Sequence, residues 1–189
     1  MINKKFVEKL KKEYAESGSE RRQIGSLANV VLYESKRIIF ALHRGELKPA
    51  EEKFKEVEGI LAKLENNFGS VRIYQEGSYK AAVEEYAEAK MLYLVLSGQK
   101  LDAIKGLKLN YETYLGGICD LIGELVRVAT NQAAAGKFER VKEIKETVNE
   151  IMAQLVDFDL TGYLRTKYDQ ARGHLRKIEQ MDYEIRLRK

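Results

Sequence analysis

A single proline and a single cysteine serve the whole 189-residue chain. The lone Pro49 argues against an all-β protein, whose turns would draw on more of them. The lone Cys119 excludes an intrachain disulfide and leaves nothing to argue for secretion. Long apolar runs are missing too, since none approaches the roughly 20 residues that span a bilayer. The opening Met-Ile-Asn-Lys-Lys-Phe leads into a charged amphipathic stretch, not a signal core. A cytoplasmic protein without a membrane partner is the expectation. A strong charge of one sign is also lacking. With 33 Lys and Arg against 29 Asp and Glu, the net +4 is too small to identify a nucleic-acid binder. The excess is concentrated, because residues Thr161 to Lys189 hold eight basic and four acidic side chains. Such a basic end serves as a phosphate-binding surface or as a solvated face, and composition leans to the solvated face.

What is present points to helices. Hydrophobic content of 44% beside 33% charge fits a globular chain. Leu, Ala, Glu, Lys and Arg dominate, the residues that lose least on entering a helix. A Lys/Glu-rich helix is predicted from about Asn3 to Glu16, interrupted at Ser17-Gly18-Ser19, with Ser19 as N-cap of the next. Ile24, Leu27, Val31, Ile38 and Ala41 then recur at helical spacing as far as His43, and Gly45 follows as a natural C′ residue. Pro49 opens a helix to about Asn67, where its missing N–H is harmless. Further helices are predicted over 72–96, over 110–135 with Asn110 as cap, over 137–156 and over 163–187. No segment alternates with a period of two, and no repeat or domain boundary is visible. The expected fold is all-α: residues 1–189 as one domain, an antiparallel bundle of about seven helices.

The informative residues are acids lying on apolar stripes. Ala81, Ala82, Glu85, Glu88, Ala89, Leu92 and Val95 share one helical face, where Glu85 and Glu88 are neighbours. A carboxylate on a core-facing stripe is costly unless it is paired or bound to a cation. The segment from Tyr114 to Glu124 repeats the pattern, with Asp120 and Glu124 four apart among Gly116, Gly117 and Gly123. Each such glycine costs a helix about 1 kcal/mol relative to Ala, which suits a place where another backbone or a substrate must come close. Glu34 is a third acid on a stripe. Two helices each presenting a carboxylate pair could hold Mg2+ or Mn2+, hard cations that take oxygen ligands. A di-iron site is disfavoured, because neither His43 nor His174 follows a Glu by three residues. The plainer alternatives stay open. Glu124 could pair with Arg127, Glu85 could face solvent near Lys90, and Cys119 reads as a small core residue. His43 reads as a helix-terminating residue whose charge suits the dipole. Of the eleven tyrosines, Tyr74, Tyr79, Tyr86 and Tyr93 read as core or interface residues, with one or two left to stack bases.

Two longer motifs carry a family resemblance. The run ESKRIIFALHR from Glu34 to Arg44 resembles a helix of translin-associated factor X, and YLGGICDLIGELVR from Tyr114 to Arg127 is similar to the central motif of the translin family. NQAAAG (Asn131 to Gly136) and a final helix with LRTKYD (Leu164 to Asp169) and KIE (Lys177 to Glu179) extend the likeness from about Ser19 onward. The resemblance implies an all-α subunit of a closed, hollow octamer that binds single-stranded RNA and DNA. In the factor X branch it implies a Mg2+-dependent endoribonuclease whose acids map onto Glu85, Glu88 and Asp120. Glu124 matches an acid that translin subunits also keep, so it is a weaker sign of catalysis. The chain is shorter than eukaryotic members, without their insertion before the central motif or their C-terminal tail. It looks like a compact prokaryotic, archaeal-type homologue forming a homo-octamer. The expected function is therefore binding and Mg2+- or Mn2+-dependent cleavage of single-stranded RNA. Glu85, Glu88, Asp120 and Glu124 would be the metal ligands, and Lys36, Arg37 and Arg127 would guide the backbone. The alternatives are a non-catalytic shell for single-stranded RNA or DNA, and a helical scaffold without nucleic acid.

Overall fold

A computed structural model describes residues 2–187, and every regular element among them is helical. In chain order these are α1 (Lys4–His43), α2 (Leu47–Phe68), α3 (Ser70–Ile73), α4 (Gly77–Leu96), α5 (Tyr111–Ala134), α6 (Phe138–Leu155) and α7 (Gly162–Leu187). The number seven matches the expectation, but the division differs. The break expected at Ser17-Gly18-Ser19 does not occur, and α1 runs through it. A single mid-helix glycine costs only about 1 kcal/mol, and long-range contacts hold this stretch: Arg72 donates to the Ser17 carbonyl at 3.4 Å and to Glu20 at 2.8 Å. Ser19 is therefore not a cap. Asn3 fills that role, its side-chain oxygen accepting from the N–H groups of Lys5 and Phe6. The helix expected over 72–96 is instead two, the single turn α3 and then α4 from Gly77.

Helix ends follow local chemistry where a glycine is available. Gly45, at φ 78°, donates to Leu42 while Glu46 donates to Ala41, which closes α1 in a Schellman motif. Gly136, at φ 73°, closes α5 the same way through Gly136 to Ala133 and Lys137 to Gln132. Three-residue links then fold α2 back on α1 and α6 back on α5, so these pairs are antiparallel. Asn110 caps α5 as expected, accepting from Thr113 N–H at 2.8 Å.

Packing runs from α2 through α1 to α4, from α4 to α5, and from α5 to α6 and α7. The buried apolar side chains form one continuous cluster that includes Ile24, Phe54, Tyr86, Leu92, Leu121 and Leu125. Burying a large side chain of this kind contributes about 1.5–3 kcal/mol, so the cluster is what holds the helices in place. No helix among the described residues is long and apolar enough to cross a membrane.

At the glycines of α5, α4 approaches closely. A Cβ added at Gly117 would lie 3.2 Å from the backbone nitrogen of Glu88 and 2.9 Å from Met91 Cε. At Gly116 it would lie 2.1 Å from the Glu84 carboxylate. Gly116 and Gly117 are thus the floor on which α4 rests. Gly117→Val is expected to lower stability in urea unfolding by about 1–3 kcal/mol or more, the scale of core overpacking. Gly173→Ala on α7, where nothing lies within 4 Å, should instead gain up to about 1 kcal/mol. Equal effects from the two changes would contradict the close approach.

Candidate active site

Where α4 crosses α5, its buried face carries Ala82, Val83, Tyr86, Ala87 and Met91, and three acids stand along the edge of that face. Glu88 is 7% exposed, while Glu84 and Glu85 keep side chains 14% and 17% exposed. Ala81, expected on the same stripe, is exposed instead. From α5 come Asp120 and Glu124, both partly buried. The i, i+4 spacing puts these two on one side of α5, turned toward α4 and α7. A hollow of about 380 Å3 is walled by Glu88, Asp120 and Glu124 with Cys119, Gly123 and His174. A larger open groove of about 1000 Å3 runs past Glu84, Glu85, Tyr163, Lys80 and Lys167. Asp120 borders both spaces.

Basic side chains from three helices meet these acids. Lys36 of α1 donates to Glu85 Oε2 at 2.9 Å. Lys167 of α7 lies between Asp120 Oδ2 and Glu84 Oε1, the latter at 2.8 Å, and Tyr163 O–H donates to that same Glu84 oxygen at 2.5 Å. His43 pairs with Glu124 Oε2, which Arg127 also reaches at 3.4 Å. In Glu85, Asp120 and Glu124 alike, one carboxylate oxygen is held and the other has no donor among the described residues. Glu88 has no hydrogen-bond or ion-pair partner among them at all.

The electrostatics follow from these pairings. Burial, then the charges of Asp120, Glu85 and Glu124, push the Glu88 carboxyl up to about 9. Burial also holds Asp120 above its ordinary range, outweighing the Lys167 hydrogen bond. Burial pushes Glu124 the same way, but the hydrogen bond and charge of His43, with Arg127, bring it below the usual carboxylate value. Burial alone would lower Lys167, yet its bonds to Asp120 and Glu84 hold it well above its ordinary value. His174 is kept low by burial and by Lys177.

The acids named from the sequence, Glu85, Glu88, Asp120 and Glu124, therefore lie along one helix crossing. Among the described residues, however, no three or more His, Cys, Asp or Glu side chains are gathered closely enough to grip a metal ion. Their chemistry still suits a hard cation, being oxygen only and including a buried carboxyl that no protein group satisfies. Of the basic residues, Lys36 and Arg127 border the acids, whereas Arg37 turns aside to Glu34 at 3.0 Å and lies over the Tyr33 ring. Glu34 is paired by Lys53 at 2.6 Å, which accounts for that acid on its stripe. His43 does end α1, but its side chain is 6% exposed and serves Glu124. Glu84, Tyr163 and Lys167 escape a reading by periodicity. The one local sign of Glu84 is Gly116, over which its carboxylate lies.

Fold and site together define an all-α bundle with an internal acidic centre at a glycine-rich helix crossing. The sequence model of the Translin family matches residues 19–189, and the chain belongs to that family. It is 28% identical to human translin over 155 residues, covering 74% of this chain and 68% of translin. It is 26% identical over 170 residues to an uncharacterised protein of Methanocaldococcus jannaschii, covering 86% and 75% of the two chains. Among solved structures, the AfC3PO–duplex RNA complex superposes with a TM-score of 0.85 at 22% identity over 97% of both chains.

The state of Glu88 can be tested through stability. An unfolded chain releases this proton near 4.5 and the folded chain only near about 9. Between those values the unfolded state holds fewer protons, so Glu88 lowers stability as pH rises through the window. In chelator, Glu88→Gln is expected to unfold at higher urea than the parent, by a margin that widens from pH 5 to pH 9. A margin independent of pH would contradict a buried, protonated Glu88.

Proposed function

We propose that this protein binds single-stranded RNA, and single-stranded DNA, as a closed homo-octamer, and that it cuts RNA with Mg2+ or Mn2+. The observation that carries the catalytic part is the unpartnered, buried Glu88 facing Asp120 and Glu124 across one small hollow, with Glu85 beside it. Glu85, Glu88, Asp120 and Glu124 are the residues that would hold the cation. When bound, such an ion lowers the pKa of a water and offsets charge on the departing oxygen of a phosphodiester. The chain's own part is to fix the acids, through Lys36, Lys167 and His43, and to bring the strand to them. Lys36, Arg37 and Arg127 keep side chains 53%, 55% and 45% exposed beyond their carboxylate contacts, which suits a role in guiding phosphates. Family membership supports nucleic acid as the partner, as does the likeness in fold to AfC3PO, which was solved with duplex RNA.

The non-catalytic reading has its own observation. Basic side chains already neutralise Glu85, Asp120 and Glu124, so a shell that only binds RNA or DNA would need no metal for those three acids. Cleavage of labelled RNA in Mg2+ and in chelator separates the two, run on single strands and on a duplex. Asp120→Asn is expected to lower cleavage by about 100-fold or more, the scale for losing one electrostatic stabiliser of a transition state. Binding at low salt should change little. Full activity in the variant would end the nuclease reading, and binding by the parent without cleavage in either metal would leave the shell.

A further inference from the structure

Among the described residues, Lys167 is the one basic group bridging acids of both helices at the crossing. Its ammonium meets Asp120 Oδ2 from α5 and Glu84 Oε1 from α4, and it lies 5.3 Å from the Tyr163 ring centroid. The side chain is 17% exposed, so it is committed to this place and is not free in solvent. Glu84 is committed as well. Its carboxylate lies over Gly116, where any side chain would displace it, and it takes a second hydrogen bond from Tyr163. Glu84 and Glu85 both line the larger groove and not the hollow, but Glu85 has one oxygen left without a donor, whereas Glu84 is held by Lys167 and Tyr163 together. The outcome for Asp120 is specific. One oxygen is fixed toward α7 and the other is left without a protein donor, on the carboxylate that borders the Glu88 hollow.

We propose that Lys167 is a positioning residue for the acidic site, anchored by Glu84 and Tyr163, which orients Asp120 so that a single oxygen is presented for a divalent cation. This rests on the cation-dependent reading above. Two residues take their roles from it. Glu84 is an anchor for the ammonium, not a fifth ligand, and a lysine of the basic C-terminal helix acts inside the protein, not on a phosphate surface. The physical basis is that carboxylates which bind metals work best when a second partner fixes their orientation. An ammonium on one oxygen does so while leaving the other lone pairs available.

The test is Mn2+ binding to the intact protein, by calorimetry and by the electron spin resonance signal of free Mn2+, without RNA. Lys167→Met is expected to weaken Mn2+ binding by about 10–100-fold, the usual effect of losing an outer partner. Lys167→Arg, which can still donate to both acids, should recover most of that loss. Unchanged affinity in Lys167→Met, even with a lowered unfolding midpoint, would make Lys167 a merely structural ion pair and overturn the proposal. Tighter binding would also overturn it, by making the ammonium a competitor of the cation. Should Lys167→Met fail to fold, Glu84→Gln loosens the anchor alone. It is expected to weaken Mn2+ binding severalfold, and unchanged binding there would count equally against the proposal. If the parent protein binds no Mn2+, the cation-dependent reading falls with it. If parent and variant bind alike, only the role of Lys167 falls.

Discussion

The close contact of α4 with α5 is the constraint on which the rest depends. Packed helices normally stand 8–10 Å apart, with side chains between them. At Gly116 and Gly117 there are none on the α5 side, so the backbone of α4 at Glu88 comes down onto α5 itself. That contact buries most of Glu88 and sets its remaining exposed part in the hollow with Asp120 and Glu124. A buried acid near two others is an unfavourable arrangement, and nothing in helix packing calls for it. It persists because the neighbouring helices answer most of the charge. Lys36 and His43 come from α1, and Lys167 comes from α7, each reaching an acid on another helix. The site is therefore a property of the whole bundle: α1 and α7 balance what α4 and α5 bring together. Gly123 serves the same end, because a Cβ there would stand 3.1 Å from His174 of α7.

Local signals made part of this legible in the sequence. Gly45 and Asn110 mark helix ends because their preference is a matter of backbone dihedrals and one nearby hydrogen bond, both written within a few residues. The pairing of Glu85 with Glu88, and of Asp120 with Glu124, follows from helical spacing alone. The glycines could be read as a place of close approach, although not which helix approaches. The illegible parts are those decided at a distance. Ser17-Gly18-Ser19 looks like a helix break, yet Arg72, more than fifty residues away, ties that stretch to the bundle and the helix continues. Lys167 reaches Asp120 across 47 positions and His43 reaches Glu124 across 81. Periodicity assigns a residue to a face of its own helix and says nothing of the face opposite. Glu84 was lost for a related reason, since it falls beside the apolar stripe and its partner is a glycine and a lysine elsewhere.

Charge accounting explains how a site so well supplied with bases can still suit a divalent cation. Glu84, Glu85, Asp120 and Glu124 carry four negative charges, and Lys36, Lys167 and Arg127 return three, with His43 donating to Glu124 in addition. With Glu88 protonated the cluster is near neutral, which limits the cost of keeping its acids partly buried. Ionising Glu88 tips the balance to the negative side and exposes a carboxylate with no protein donor. On the proposed reading, a cation and a proton are thus alternative occupants of the same deficit. Glu88 would then give up its proton to hold a cation, which would tie the affinity to pH. The basic partners do not compete for Glu88, because none of them reaches it. They set the orientation of the other three acids and leave the buried one as the place where the charge of the site can change.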